Sequence, residues 1–61
     1  MRVLVIEDAP DLADALVRYL RSENHAVDHV STSAEAAAAL RVADYAAVVL
    51  DLGLPDGAGL D

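Results

Sequence analysis

Two unbroken apolar runs mark the chain, and each ends on acid. Val3-Leu4-Val5-Ile6 runs into Glu7-Asp8, and Ala46-Ala47-Val48-Val49-Leu50 runs into Asp51. Runs of four or five residues, rich in β-branched side chains, predict strands buried on both faces. Between them a different period takes over. Pro10 suits a first helical position. Leu12, Leu16, Tyr19 and Leu20 then recur at helical spacing and predict an amphipathic helix with that stripe inward. Asp11 and Asp14 near its start and Arg18 and Arg21 near its end suit the helix dipole, and Asp14 and Arg18 form an acid-before-base pair one turn apart. Asn24 suits the C-terminal cap. Residues 26–30 alternate loosely and carry Asp28 and His29, which predicts a half-exposed edge strand. Thr32-Ser33-Ala34-Glu35 matches a capping box, so a second helix is predicted from about 33 to 43, with the Ala-rich stretch 34–39 inside it.

The order is β-α-β-α-β. Strands alternating with helices imply an α/β fold with a parallel sheet and right-handed crossovers. The two fully apolar strands belong side by side, with the more polar second strand outside. Residues 53–61, with three Gly and one Pro, read as a loop, and the chain stops where another helix would begin. It is therefore expected to be the first half of a larger domain.

Composition narrows the function. The 61 residues hold four Arg, no Lys and eleven acids, a net charge of −7. Phosphate-backbone contacts need a basic face, so the chain is not expected to bind nucleic acid by itself, nor an acidic membrane surface. It contains no Cys, which excludes disulfides and thiolate metal sites. No apolar run approaches the roughly 18 residues that span a bilayer, and a soluble cytoplasmic protein is the expectation.

The acids at the strand ends carry the chemistry. Adjacent parallel strands lie about 4.8 Å apart, so Glu7 and Asp8 should converge with Asp51 at the carboxyl end of the sheet. Open α/β sheets bind ligands there, where the strand order reverses. Clustered carboxylates repel unless a cation is present. An all-oxygen set without His or Cys favours Mg²⁺. A carboxylate can also be the nucleophile of an aspartyl phosphate. Asp51 is thus the candidate phospho-acceptor, and Glu7 and Asp8 the candidate metal side. Against this stands the plain alternative that strands must end somewhere polar.

The segments Val3-Leu4-Val5-Ile6-Glu7-Asp8 and Val48-Val49-Leu50-Asp51-Leu52-Gly53-Leu54-Pro55-Asp56-Gly57 resemble the receiver domain of bacterial two-component response regulators. The D-L-G-L-P stretch looks most like receivers of winged-helix transcription regulators. The resemblance covers the whole chain but only the first half of a receiver. It implies a flavodoxin-like fold, here limited to β-α-β-α-β with strand order 2-1-3. It implies that Asp51 takes a phosphoryl group from a histidine kinase. It implies Mg²⁺ held by Asp8 directly, by Glu7 through water, by Asp51 and by the Gly53 backbone carbonyl. Pro55 and Gly59 match loop positions, whereas Ala58 departs from the usual Asp or Asn. The family's Ser or Thr ending its fourth strand and Lys ending its fifth have no counterpart in residues 1–61. The module is not expected to be an enzyme.

Two rival readings remain. A phosphatase of the haloacid-dehalogenase type also uses a strand-end Asp and Mg²⁺, but it places a general-acid Asp where Gly53 stands. A purely structural, self-associating α/β fragment is the other. In the order 2-1-3 the outer edge of the third strand is unpaired, which predicts a homodimer through two antiparallel third strands, 2-1-3-3-1-2. His25, His29, Arg18, Arg21, Tyr19 and Leu20 are read as structural, with the two His exposed and far from Asp51, and with Tyr19 and Leu20 as core or rim.

Overall fold

The structure is a computed structural model, and it describes residues 1–50. The elements are β1 (Arg2–Ile6), α1 (Pro10–Ser22), β2 (Ala26–Val30), α2 (Ser33–Val42) and β3 (Ala47–Leu50). They form one parallel sheet in the order β2-β1-β3. The predicted α/β order and the central place of the first strand therefore hold. The third strand starts one residue later than predicted, although the Ala46 N–H already donates to the Arg2 carbonyl at 2.8 Å.

The topology fixes which helix covers which face. Going from β1 to β2 and then back across β1 to β3 reverses the direction of travel. Two right-handed crossovers in opposite directions place their helices on opposite faces. On one face Val3, Val5 and Val27 form the buried cluster, with Leu16, Val17 and Leu20 of α1 and Ala47 and Val49 of β3 against it. On the other, Leu4 is fully buried and Ala36 of α2 packs close. β1 is buried on both sides because it alone has a strand on each edge and a helix on each face.

The inward stripe of α1 differs from the predicted one. Ala13, Leu16, Val17 and Leu20 face the sheet, while Leu12 and Tyr19 are exposed, Tyr19 at 63%. Small Ala13 lets the first turn approach the sheet, which rotates the larger Leu12 and Tyr19 outward. The end of α1 follows the prediction. Asn24 stands at φ 70°, the left-handed region that Asn tolerates. The His25 N–H donates to the Leu20 carbonyl at 3.2 Å and the Asn24 N–H to the Arg21 carbonyl at 3.0 Å, a Schellman closure. The Asp14–Arg18 pair also forms, at 2.9 and 2.5 Å.

At α2 the predicted cap is present in a shifted form. The Thr32 hydroxyl accepts the Glu35 N–H at 3.1 Å. The Glu35 carboxylate returns to the Ser31 N–H at 2.8 Å, one residue before the usual capping-box partner. The helix ends at Val42 with Ala43 as its cap. No helix among the described residues is long and apolar enough to cross a membrane.

Candidate functional site: the carboxyl end of the sheet

Glu7 and Asp8 continue β1 past its last strand residue. The Glu7 N–H extends the ladder by one rung, donating to the Val30 carbonyl at 3.1 Å. Side chains alternate along a strand, so Glu7 falls on the face of Val3 and Val5, beneath α1. It is 1% exposed, the one buried charged residue among those described. Its Oε2 accepts the Ala9 N–H at 3.0 Å. Ala9 is the N-cap of α1 and offers no side-chain cap of its own, so this carboxylate serves the start of the helix. Asp8, the next residue, is exposed.

β3 brings its own end level with this pair. Ile6 stands opposite Leu50 in the β1–β3 register. Asp51 is the next residue in the chain, and it lies outside the described residues, as do Gly53, Pro55, Ala58 and Gly59. Among the described residues no group of three or more metal-ligating side chains is assembled. The chemistry of the two carboxylates that are described suits a hard divalent cation: Asp8 is exposed, and Glu7 is buried beneath α1. A nearby imidazole has its Nε2 engaged with the Glu7 carbonyl.

That imidazole belongs to His29, which is exposed as expected but stands closer to the acidic pair than a purely structural reading suggests. His29 Nε2 lies 2.8 Å from the Glu7 carbonyl oxygen. The ring belongs to the acidic end of the sheet and lines a shallow cleft with Pro10, Ala13, Asp14 and Val17. A signal was available in the predicted order. His29 sits next to last in a strand adjacent to β1, within reach of the residue that ends it. His25 departs from the expected exposure: it is half-buried, its backbone N–H closes the α1 cap, and its Nδ1 is buried without a hydrogen-bond partner.

A second polar group marks the opposite end of the sheet. Asp28 Oδ2 accepts from Arg2 at 2.9 Å and from the Tyr45 hydroxyl at 2.5 Å. These bonds, the Tyr45 one foremost, hold the Asp28 carboxyl below its ordinary range against a smaller opposing effect of burial. The same bond to Asp28 raises the Tyr45 phenol. Asp28 pairs with Leu4 in register, so this cluster lies on the α2 face, away from Glu7 and Asp8.

The model of the response regulator receiver domain matches residues 3–61. The chain belongs to the response regulator receiver family. It is 47% identical over 55 residues to the transcriptional regulatory protein TcrA of Mycobacterium tuberculosis, covering 90% of this chain and 22% of that protein. It is 42% identical over 60 residues to the transcriptional regulatory protein BasR of Escherichia coli, covering 98% and 27%. Against the cell cycle transcriptional regulator CtrA of Caulobacter vibrioides it is 38% identical over 61 residues, covering 100% and 26%. The chain thus spans about a quarter of the length of these relatives. No solved structure matches it significantly. The receiver match and the order β2-β1-β3 agree with the flavodoxin-like arrangement that the sequence motifs imply.

Proposed function

We propose that this receiver is the phospho-acceptor module of a two-component response regulator. Asp51 is the acceptor and a histidine kinase the donor. Its carboxylate oxygen attacks the phosphorus of a phosphohistidine. A P–O bond forms, the P–N bond breaks, and the freed imidazole takes up a proton. Asp8, Glu7, Asp51 and the Gly53 carbonyl would hold Mg²⁺, which when bound neutralises charge on the transferring group. Glu7 would act through water, its carboxylate also accepting the Ala9 N–H at the start of α1. The phosphoryl group serves as a signal and the module does not turn over substrate as an enzyme does. In the whole protein the output would be transcription regulation, in keeping with the names of its relatives, and we read it as exerted through a DNA-binding domain in the cytoplasm.

The observation that carries this reading is the Ile6–Leu50 register. It sets the β1 end, with its acidic pair, level with the last residue before Asp51. Gly53 argues against the dehalogenase-type phosphatase, because it supplies no acid for a leaving group. The test is labelling with acetyl phosphate and Mg²⁺. A hydroxylamine-labile adduct at Asp51 is expected, formed slowly because residues 1–61 hold no Lys to neutralise it. Asp51→Ala should abolish it, and calorimetry should show weaker Mg²⁺ binding in Asp8→Asn and Asp51→Asn. Equal labelling of Asp51→Ala, or steady hydrolysis of an aryl phosphate, would overturn the assignment.

A further inference from the structure

We infer that His29 is a positioning residue for the acidic site, setting Asp8 for a divalent cation through the backbone. The inference rests on the reading of Glu7 and Asp8 as metal-side residues.

A carbonyl oxygen can only accept, so the contact at 2.8 Å means that His29 Nε2 carries the proton and donates it to Glu7. The Glu7 carbonyl and the Asp8 N–H belong to one planar peptide unit. Holding that oxygen therefore orients the plane that enters Asp8. The plane that leaves Asp8 contains the Ala9 N–H, and it is held in turn by Glu7 Oε2 at 3.0 Å. Asp8 is exposed, yet both of its flanking peptide planes are fixed, one by the imidazole and the other by the neighbouring carboxylate. With both planes held, the φ and ψ of Asp8 are set as well, and its side-chain rotamer is what remains to be chosen. A carboxylate restrained in this way loses less freedom on binding a cation than one on a free loop.

The placement of His29 suits the task. In register it pairs with Val5, two residues before Glu7, on the face covered by α1. Its ring shares a shallow, open cleft with Pro10 and Ala13 of the first turn of α1. The ring is exposed on its other side, so the bond to the Glu7 carbonyl is the contact that places it. Groups that orient metal ligands from behind alter metal affinity by roughly 10-fold or more when removed. The backbone route used here predicts the lower end of that range.

The test separates the donor from the bulk of the ring. His29→Leu keeps an apolar side chain against α1 and lacks the N–H, whereas His29→Gln restores an amide donor. Mg²⁺ is titrated into each, with the Asp8 amide resonance as the readout and the remaining amide spectrum as the control for folding. His29→Leu should bind Mg²⁺ roughly 10-fold more weakly with its other resonances in place, and His29→Gln should recover most of the affinity. Wild-type affinity in His29→Leu overturns the inference. So does a folded His29→Gln that binds as weakly as the Leu variant. Asp8→Asn is run in parallel: undiminished Mg²⁺ binding there overturns the site reading itself, which distinguishes that failure from a failure of His29 alone.

Discussion

The two faces of the sheet are covered by helices of different make, and they close to different degrees. α1 brings Leu16, Val17 and Leu20 down on Val3, Val5 and Val27, and Ala47 and Val49 of β3 join the same cluster. α2 brings mainly alanines. It packs on β1 and β2, buries Leu4 with Ala36, and leaves Val48 at 46% and Leu50 at 53% exposed. Leu40 and Val42 of α2 are exposed as well. Alanine favours the helix and permits a close approach, but it has no reach to cover a strand two positions away. The α1 face is sealed by side-chain size. The α2 face is sealed only where helix and strand nearly touch.

This asymmetry is tested most severely at Leu4. It is fully buried on the thinly covered face, and Leu4→Ala is expected to cost about 2–5 kcal/mol, a large part of what a small domain possesses. Val48→Ser, on the same face but exposed, should change stability by no more than about 0.5 kcal/mol. Urea denaturation followed by circular dichroism measures both. Equal losses at the two positions would mean that the α2 face is closed over β3 in solution, and the contrast would fail.

The exposed side of β3 also bears on association. Among the described residues β3 pairs only with β1, and the expected homodimer would add a second copy at its outer backbone edge. A two-fold axis would pair two third strands antiparallel. The charge of −7 per chain opposes this, so added salt should shift sedimentation toward the dimer. A folded monomer that persists at high protein concentration and high salt would count against it.

Much of this was legible in the sequence, for identifiable reasons. The strands β1 and β2 were readable because apolar runs and loose alternation match the pleat, and acids or polar residues end them. The cap residues Thr32 and Asn24 act locally, so local sequence predicts them. The family motif in residues 3–8 and 48–57 was legible for the same reason. What failed was rotation and reach. Leu12 and Tyr19 share a helical stripe with Leu16 and Leu20 on paper, but Ala13 decides which side meets the sheet. The stripe of α1 is a tertiary choice between two adjacent apolar arcs. His29 is exposed as expected, but its bond to the Glu7 carbonyl was not foreseen, because its position in the strand was read without the reach of its side chain. Asp51 and Gly53, on which the phospho-acceptor reading depends, lie outside the described residues, so their roles stand as proposals.

A smaller effect is expected at the start of α2. This helix packs less apolar surface than α1 and so should lean more on its own cap. Thr32→Ala removes the acceptor of the Glu35 N–H and should cost about 1 kcal/mol, with the loss of helicity confined to α2. Amide exchange across residues 33–42 measures it. Equal loosening of α1 in the same variant would show that the two helices melt as one unit, and the comparison of faces would then describe packing but not local stability.

The smallest effect concerns the polar group on the α2 face, where Arg2, Asp28 and Tyr45 tie the entry of β3 to β2. Here hydrogen bonds stand where apolar packing is thin. Asp28 is held below its ordinary value of 3.8, first by the Tyr45 hydroxyl and then by Arg2. A carboxyl whose folded pKa is depressed contributes stability above its unfolded value and loses it as pH falls through the folded one. Tyr45 is shifted the other way, above its ordinary 10.0. Its contribution is complete below that value and is lost as pH rises through the folded pKa. The bond therefore contributes over the whole range between the two and fades at both ends. Tyr45→Phe removes the hydroxyl and keeps the ring. The difference in urea midpoint between wild type and Tyr45→Phe should be flat near neutral pH and shrink in acid and in strong base. Both groups are accessible to solvent, so the difference should be smaller than the Thr32→Ala loss. A difference that stays constant across the full range would assign the role of Tyr45 to ring packing, and side-chain contact would then close the α2 face there as it closes the Val3–Val5–Val27 cluster under α1.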